Sequence, residues 1–138
     1  MSKAAELAAL IGSQSALSNR NLIINGAMQV AQRGTSFSSI TSNVYPVDRF
    51  FVKDTNAASG QATVSQSTTA PDDFKYALKV DVTTADTSLA DADQYKIEYR
   101  AEGQDVAHLN WGTSAAKTVT LSFWIRSNKT GNTQVAVV

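Results

Sequence analysis

Apolar side chains fall on every second residue in three segments of this chain, Lys75 to Val82, Gln94 to Arg100 and Thr118 to Arg126, with polar residues between them. In the last segment Val119, Leu121, Phe123 and Ile125 take one side while Thr118, Thr120, Ser122, Trp124 and Arg126 take the other. A period of two is that of a half-buried antiparallel strand, not of a helix. Further strands are expected at Asn21 to Gln32, where Gly26 marks a bulge or a close backbone approach, at Val44 to Lys53, at Gln61 to Ser67 and from about Thr133 onward. Turn residues separate them: Arg33-Gly34-Thr35-Ser36, Asn56 to Gly60, Ala70-Pro71-Asp72-Asp73, Asp86 to Asp93 and Asn128 to Asn132. Six or seven short strands with frequent turns predict a mainly β domain, an antiparallel sandwich or jelly roll. Its expected core holds Tyr76, Leu78, Val80, Ile97, Val119, Leu121 and Phe123. Tyr95 and Tyr99 share the Ile97 face and are assigned to core as well. Ala101 to Gly112 breaks the alternation and reads as a helical turn or irregular crossover.

The first twelve residues follow another rule. Ser2 can cap a helix, Lys3 to Ile11 is rich in helix formers, and Gly12 offers a left-handed stop. Ala4, Leu7, Ala8 and Ile11 then form one apolar stripe. About ten residues is shorter than the roughly 12–15 that an isolated helix needs for marginal stability, so the stripe requires a partner surface. That partner is the same helix in sister chains, a docking protein, or the chain's own domain. Ser13 to Asn19 reads as a linker, which divides the chain into a helix (1–12), a linker (13–20) and a β-domain (21–138). The apolar run Gln134 to Val138 ends without a turn, so the sandwich is expected to be completed by further chain or by a neighbouring subunit.

Composition narrows the function. Twelve Lys and Arg balance twelve Asp and Glu in 138 residues, and no run of one sign is present to follow a phosphate backbone, which argues against nucleic acid. Cysteine is absent, so disulfides and thiolate metal sites are excluded. No apolar stretch reaches the length of a membrane span, and no membrane insertion is expected. His108 is the only histidine and has no nucleophile elbow beside it, so no catalytic residues are assigned. The pairs Asp72-Asp73 and Asp91-Asp93 lack the ligand pattern of a calcium loop and read as turn carboxylates; neither metal nor cofactor is expected.

A likeness enters through order and spacing. Asn21-Leu22-Ile23-Ile24-Asn25-Gly26-Ala27-Met28-Gln29-Val30-Ala31-Gln32-Arg33-Gly34, followed by Tyr45-Pro46-Val47-Asp48-Arg49-Phe50, resembles the opening of virion structural proteins of tailed bacteriophages, the tail fibre or receptor-binding proteins. Tyr99-Arg100-Ala101-Glu102-Gly103-Gln104, Trp111-Gly112 and Val119 to Ser127 look like the continuation of the same module. The resemblance implies a jelly-roll β-sandwich related in outline to carbohydrate-binding modules, within a homotrimeric fibre attached to the particle by its N-terminus. The N-terminal helix would then be the attachment or trimerisation element and would contact other virion proteins. It also implies a sandwich that continues beyond Val138, with any distal host-binding tip outside this chain.

Aromatic and cationic residues remain as candidate contacts. Trp124 stands on the polar side of its segment and needs a cover: a sister subunit, another protein layer or a glycan. Trp111 is a second stacking candidate, and Arg49 and Arg126 are candidate partners for acidic groups at an interface. The expectation is a non-enzymatic fibre component of the virion. Its rival is an autonomous carbohydrate-binding module that recognises a cell-surface glycan through Trp111 or Trp124.

Overall fold

The computed structural model describes residues 2–5, 21–40, 43–55, 60–88, 90–130 and 135–137. It divides into two compact units, Met1–His108 and Leu109–Val138. In the first unit β1 (Ser36–Phe37), β2 (Val44–Val47), β3 (Phe50–Thr55), β4 (Gln61–Ser67), β5 (Ala77–Thr84) and β6 (Gln94–Tyr99) build two antiparallel three-stranded sheets. One sheet has the order β1-β4-β5 and the other β2-β3-β6. A single helical turn, α1 (Gly103–Val106), follows β6 and runs into a 3₁₀ turn at Ala107–Leu109. The molecule is mainly β and sandwich-like.

Alternation explains how the sheets close on one another. In β4 the even positions Ala62 and Val64 are buried, and they sit opposite Val82 and Val80 of β5. In β3 Phe50 and Val52 are buried, opposite Tyr99 and Ile97 of β6. Val52 from one sheet and Val64 from the other meet Ile40 in a common cluster, with Phe37, Val44, Leu78 and Val80 packed around it. Each fully buried valine contributes about 1.5–3 kcal/mol of burial free energy, so this cluster is the main adhesive between the sheets. The loop before β2 is drawn in by a hydrogen bond from the Ile40 amide to the Ala62 carbonyl (3.2 Å).

Several expectations need correction. Leu78 and Val80 do pack on the core and Tyr76 is half-buried, but Ile97, expected in the core, is 49% exposed; Val82, not assigned to it, is 65% exposed. Both point to the inner side of strands at the free edges of their sheets, where the opposite sheet covers them only in part. Tyr95 is likewise partly exposed, whereas Tyr99 is half-buried against Phe50 with ring centroids 5.4 Å apart. Asn21 to Gln32 forms no strand. The Asn21 side chain accepts from the Ile23 amide (2.9 Å), the Met28 amide donates to the Asn25 carbonyl (2.9 Å), and Asn25 and Met28 both take positive φ. Side-chain-to-backbone bonding of this kind competes with a ladder and here prevails over it. Conversely, part of the expected turn at 33–36 supplies the first residue of β1.

The segment Thr118 to Arg126 is no strand either. Val119, Leu121, Phe123 and Ile125 are exposed, as is Trp124 on the other side, and none of these residues has a ladder partner among the described residues. Periodicity states which side chains would share a face; a strand also needs a neighbour for its N–H and C=O groups. Of the N-terminal helix, Lys3 to Ala5 are helical and the Ser2 carbonyl and Oγ both accept from the Ala5 amide, at 2.9 and 3.4 Å. Ala4 is exposed there. Leu7, Ala8 and Ile11 lie outside the described residues.

Candidate functional site

The two halves of the resembling sequence are knotted together by one side chain. Asn25 Nδ2 donates to the carbonyls of Val30 and Asp48 (both 2.9 Å), and its Oδ1 accepts from the Val30 amide (3.0 Å). The Asp48 amide returns to the Val30 carbonyl (2.9 Å), and Asp48 Oδ1 accepts from the Gln32 amide (3.3 Å). The Asn25 backbone adopts φ 59°, a left-handed conformation that asparagine accepts more readily than most residues. Two further ties come from the sheets: Tyr99 Oη donates to the Leu22 carbonyl and accepts from the Ile24 amide, each 3.0 Å, and Gln66 Nε2 donates to the carbonyls of Met28 and Gln29. Residues 21–34 are thus a brace across the end of the domain that fixes the β2–β3 turn, Asp48-Arg49.

Arg49 occupies that turn at φ 75°. Glycine adopts such a conformation with least strain, and an L side chain there costs roughly 1–2 kcal/mol. Its Nη1 is 2.6 Å from Glu102 Oε1, while Nε and Nη2 are buried and find no hydrogen-bond partner among the described residues. Hydrogen bonding to Glu102, and secondarily the nearby Tyr99 oxygen, raises the Arg49 pKa further, and Arg49 in turn holds the Glu102 carboxyl below its ordinary range.

Beside this pair the outer face of the β2-β3-β6 sheet carries a stack of alternating cations and rings. Arg33 lies over Tyr45 (4.9 Å to the ring centroid), Tyr45 packs on Phe51 (5.1 Å between centroids), and Arg100 lies over Phe51 (5.3 Å). Guanidinium groups over aromatic faces gain about 0.5–1 kcal/mol at exposed sites and are fixed in plane by the stacking. Glu98 joins Lys96 (2.7 Å) and Arg100 (2.9 Å), and these cations, Lys96 foremost, depress its pKa. Lys53 stands directly opposite Lys96 in the ladder, a like-charge juxtaposition that disfavours the sheet. Two shallow clefts open on this surface. One of about 200 Å³ is lined by Tyr45, Arg49, Phe51, Arg100 and Glu102; the other, of about 370 Å³, by Gln32, Arg33, Tyr45, Asp48 and Arg49.

Of the residues singled out in the sequence, only Arg49 belongs to this face. Trp111 and Arg126 are exposed in the second unit, and Trp124 there is 78% exposed. The Trp111 indole donates to the Lys117 carbonyl (2.9 Å) and the Lys117 amide to the Leu109 carbonyl (2.8 Å), so this tryptophan closes its own loop. Asp93 is likewise engaged in a turn, its Oδ2 accepting from the Ala90 amide (2.8 Å). Among the described residues no three His, Cys, Asp or Glu side chains gather in a way that could hold a metal ion. Arg33, Tyr45, Phe51, Arg100 and Glu102 are not marked as site residues by the sequence pattern. Phe50-Phe51-Val52 is a continuous apolar run that conceals which ring turns outward, and Tyr45 sits between Val44 and Pro46 in an equally apolar strand, so no local signal marks either ring. The chain matches no protein family, no curated protein and no solved structure in comparisons of sequence and fold.

Proposed function

We propose that this chain is a non-enzymatic structural component of a tailed-bacteriophage virion, the N-terminal part of a fibre that attaches to the particle and supports host contact. The observation that carries the reading is the Asn25–Asp48 brace: the two stretches that resemble fibre proteins, 21–34 and 45–50, are joined through the Asn25 side chain, which gives their order and spacing a physical reason. In this reading the two sheets are the beginning of a jelly roll, the N-terminal helix with Ala4, Leu7, Ala8 and Ile11 gathers three chains and docks them on other virion proteins, and the exposed apolar residues of 118–126 are covered in the assembled fibre. Load transfer, not chemistry, is the activity. Native mass measurement of the chain is expected to give a trimer, and Leu7→Asp to give a folded monomer that no longer enters particles. A wild-type chain that stays monomeric, or particles that incorporate Leu7→Asp normally, contradicts the reading.

The nearly full exposure of Trp124 favours a second reading, an autonomous carbohydrate-binding module. It requires a monomer that binds neutral glycans and no longer binds them in Trp124→Ala.

A further inference from the structure

We propose that the outer face of the β2-β3-β6 sheet is a binding site for an acidic polysaccharide, whose carboxylates are taken by Arg33, Arg49 and Arg100. The proposal does not depend on the chain's place in a virion. It rests on a strained arginine, its unpartnered donors and a row of guanidinium groups held over aromatic rings on this face. Arg49 is held at φ 75° in a turn where glycine fits without strain, and backbone strain of this kind persists where a side chain is needed in one place. Two of its donors, Nε and Nη2, are without partners among the described residues, while Nη1 is held by Glu102. Lys53 faces Lys96 across the ladder. Tyr45 and Phe51 stand on the side of the sheet away from the shared core, each with a guanidinium over it.

The chemistry of the occupant follows from that arrangement. Because the ring faces of Tyr45 and Phe51 are taken by Arg33 and Arg100, they are not free to stack on a sugar. Their part is to hold the guanidinium groups in place on the face, where the planar fork suits paired contacts to carboxylate oxygens. The stack runs from Arg33 to Arg100 in three steps of about 5 Å each, and the two clefts share Tyr45 and Arg49, which suits an extended chain laid across the face rather than a compact ligand in a pocket. Asp48, Glu98 and Glu102 lie among the cations. A nucleic acid, with a charge on every nucleotide, meets a carboxylate beside each arginine, and the chain as a whole has no net positive charge to attract it. An acidic polysaccharide also brings carboxylates to the arginines, but every ring adds hydroxyls that donate to the acidic residues between them, donors that a phosphodiester backbone lacks.

The test uses the full chain, calorimetric titration and a defined set of oligomers: oligogalacturonate, a neutral malto-oligosaccharide of the same length, and single-stranded DNA. Oligogalacturonate is expected to bind, the neutral oligomer not to, and raised salt to weaken the complex as the charges are screened. Arg33→Gln and Arg100→Gln are each expected to lower the affinity about tenfold, the effect of removing one charge-assisted hydrogen bond. Lys79→Gln, on the outer face of the other sheet, is expected to leave it unchanged. Arg33 lies in a loop, so its variant keeps the fold, which circular dichroism verifies. Absence of binding to oligogalacturonate, equal binding of the neutral oligomer, tighter binding of DNA, or indifference to both arginine changes would each overturn the proposal.

Discussion

The two sheets are alike on their inner faces and unlike on their outer ones. Both turn valines and neighbouring apolar groups towards Ile40. Outward, the β1-β4-β5 sheet shows Thr63 opposite Asp81 and Ser65 opposite Lys79, with Lys79 and Asp81 paired to each other at 2.8 Å. Such a surface is solvated and asks for no partner; an exposed ion pair of this type contributes at most about 1 kcal/mol. The β2-β3-β6 sheet shows Tyr45, Phe51, Lys53, Lys96, Glu98 and Arg100 instead. Opposed lysines and a left-handed arginine are not what stability alone selects. The contrast teaches that one face is a boundary with solvent and the other a surface prepared for contact.

The comparison can be pressed at four points of decreasing size. Val52→Asp and Val64→Asp each place an unpaired carboxylate in the shared core and should both abolish cooperative urea unfolding. If one sheet keeps its structure when the other is struck, the inner faces are not one core. Asn25→Ala removes three hydrogen bonds and leaves a non-glycine residue at φ 59°, at a cost of about 2–3 kcal/mol in a chemical-denaturation curve. A neutral result would mean that 21–34 merely lies on the domain.

Phe51→Ala should cost about 2 kcal/mol through reduced burial and removal of the ring pairing, whereas Thr63→Ala on the other sheet should stay within about 0.5 kcal/mol. Equal effects would erase the distinction between the outer faces. The smallest effect is a pH dependence. Glu98 and Glu102 are held below their ordinary value of 4.5, so they stabilise the fold above that pH and the benefit is lost as pH falls through their lowered values. The urea midpoint should decline below about pH 4.5 and decline less in Glu98→Gln. At the other extreme partial burial, with Asp54 opposite, pushes the Tyr95 phenol up to about 12. Its neutral form favours the fold fully below pH 10, and that contribution is lost between 10 and about 12.

Much of the sheet body was legible in the chain. The segments expected at 61–67, 75–82 and 94–100 coincide with or overlap β4, β5 and β6, whereas the single strand expected at 44–53 is a hairpin, β2 and β3, broken at Asp48-Arg49 by a turn that carries neither glycine nor proline. What alternation does not encode is the partner. Ile97 alternates as well as Val52 does, yet it lies on an edge strand and stays half open. Val119 to Ile125 alternates best of all and has no ladder partner among the described residues. At 21–32 the apolar residues suggested a strand, while Asn21 and Asn25 carried the deciding chemistry through bonds to the backbone. The candidate site was the least visible part. Arg49 stood out only as a cation able to pair with acidic groups at an interface, and Arg33, Tyr45, Phe51 and Arg100 come together only through the register of β3 with β6 and the brace at the domain end.

The most direct test of the prepared face is to follow the arginine Nε–Hε and tryptophan indole resonances by NMR while trigalacturonate is added to the full chain. Shifts at Arg33, Arg49 and Arg100, with the amides of β4 and β5 and the indoles of Trp111 and Trp124 unmoved, are the predicted result. Shifts confined to the indoles or to the β1-β4-β5 sheet, or no shifts at all, would contradict it.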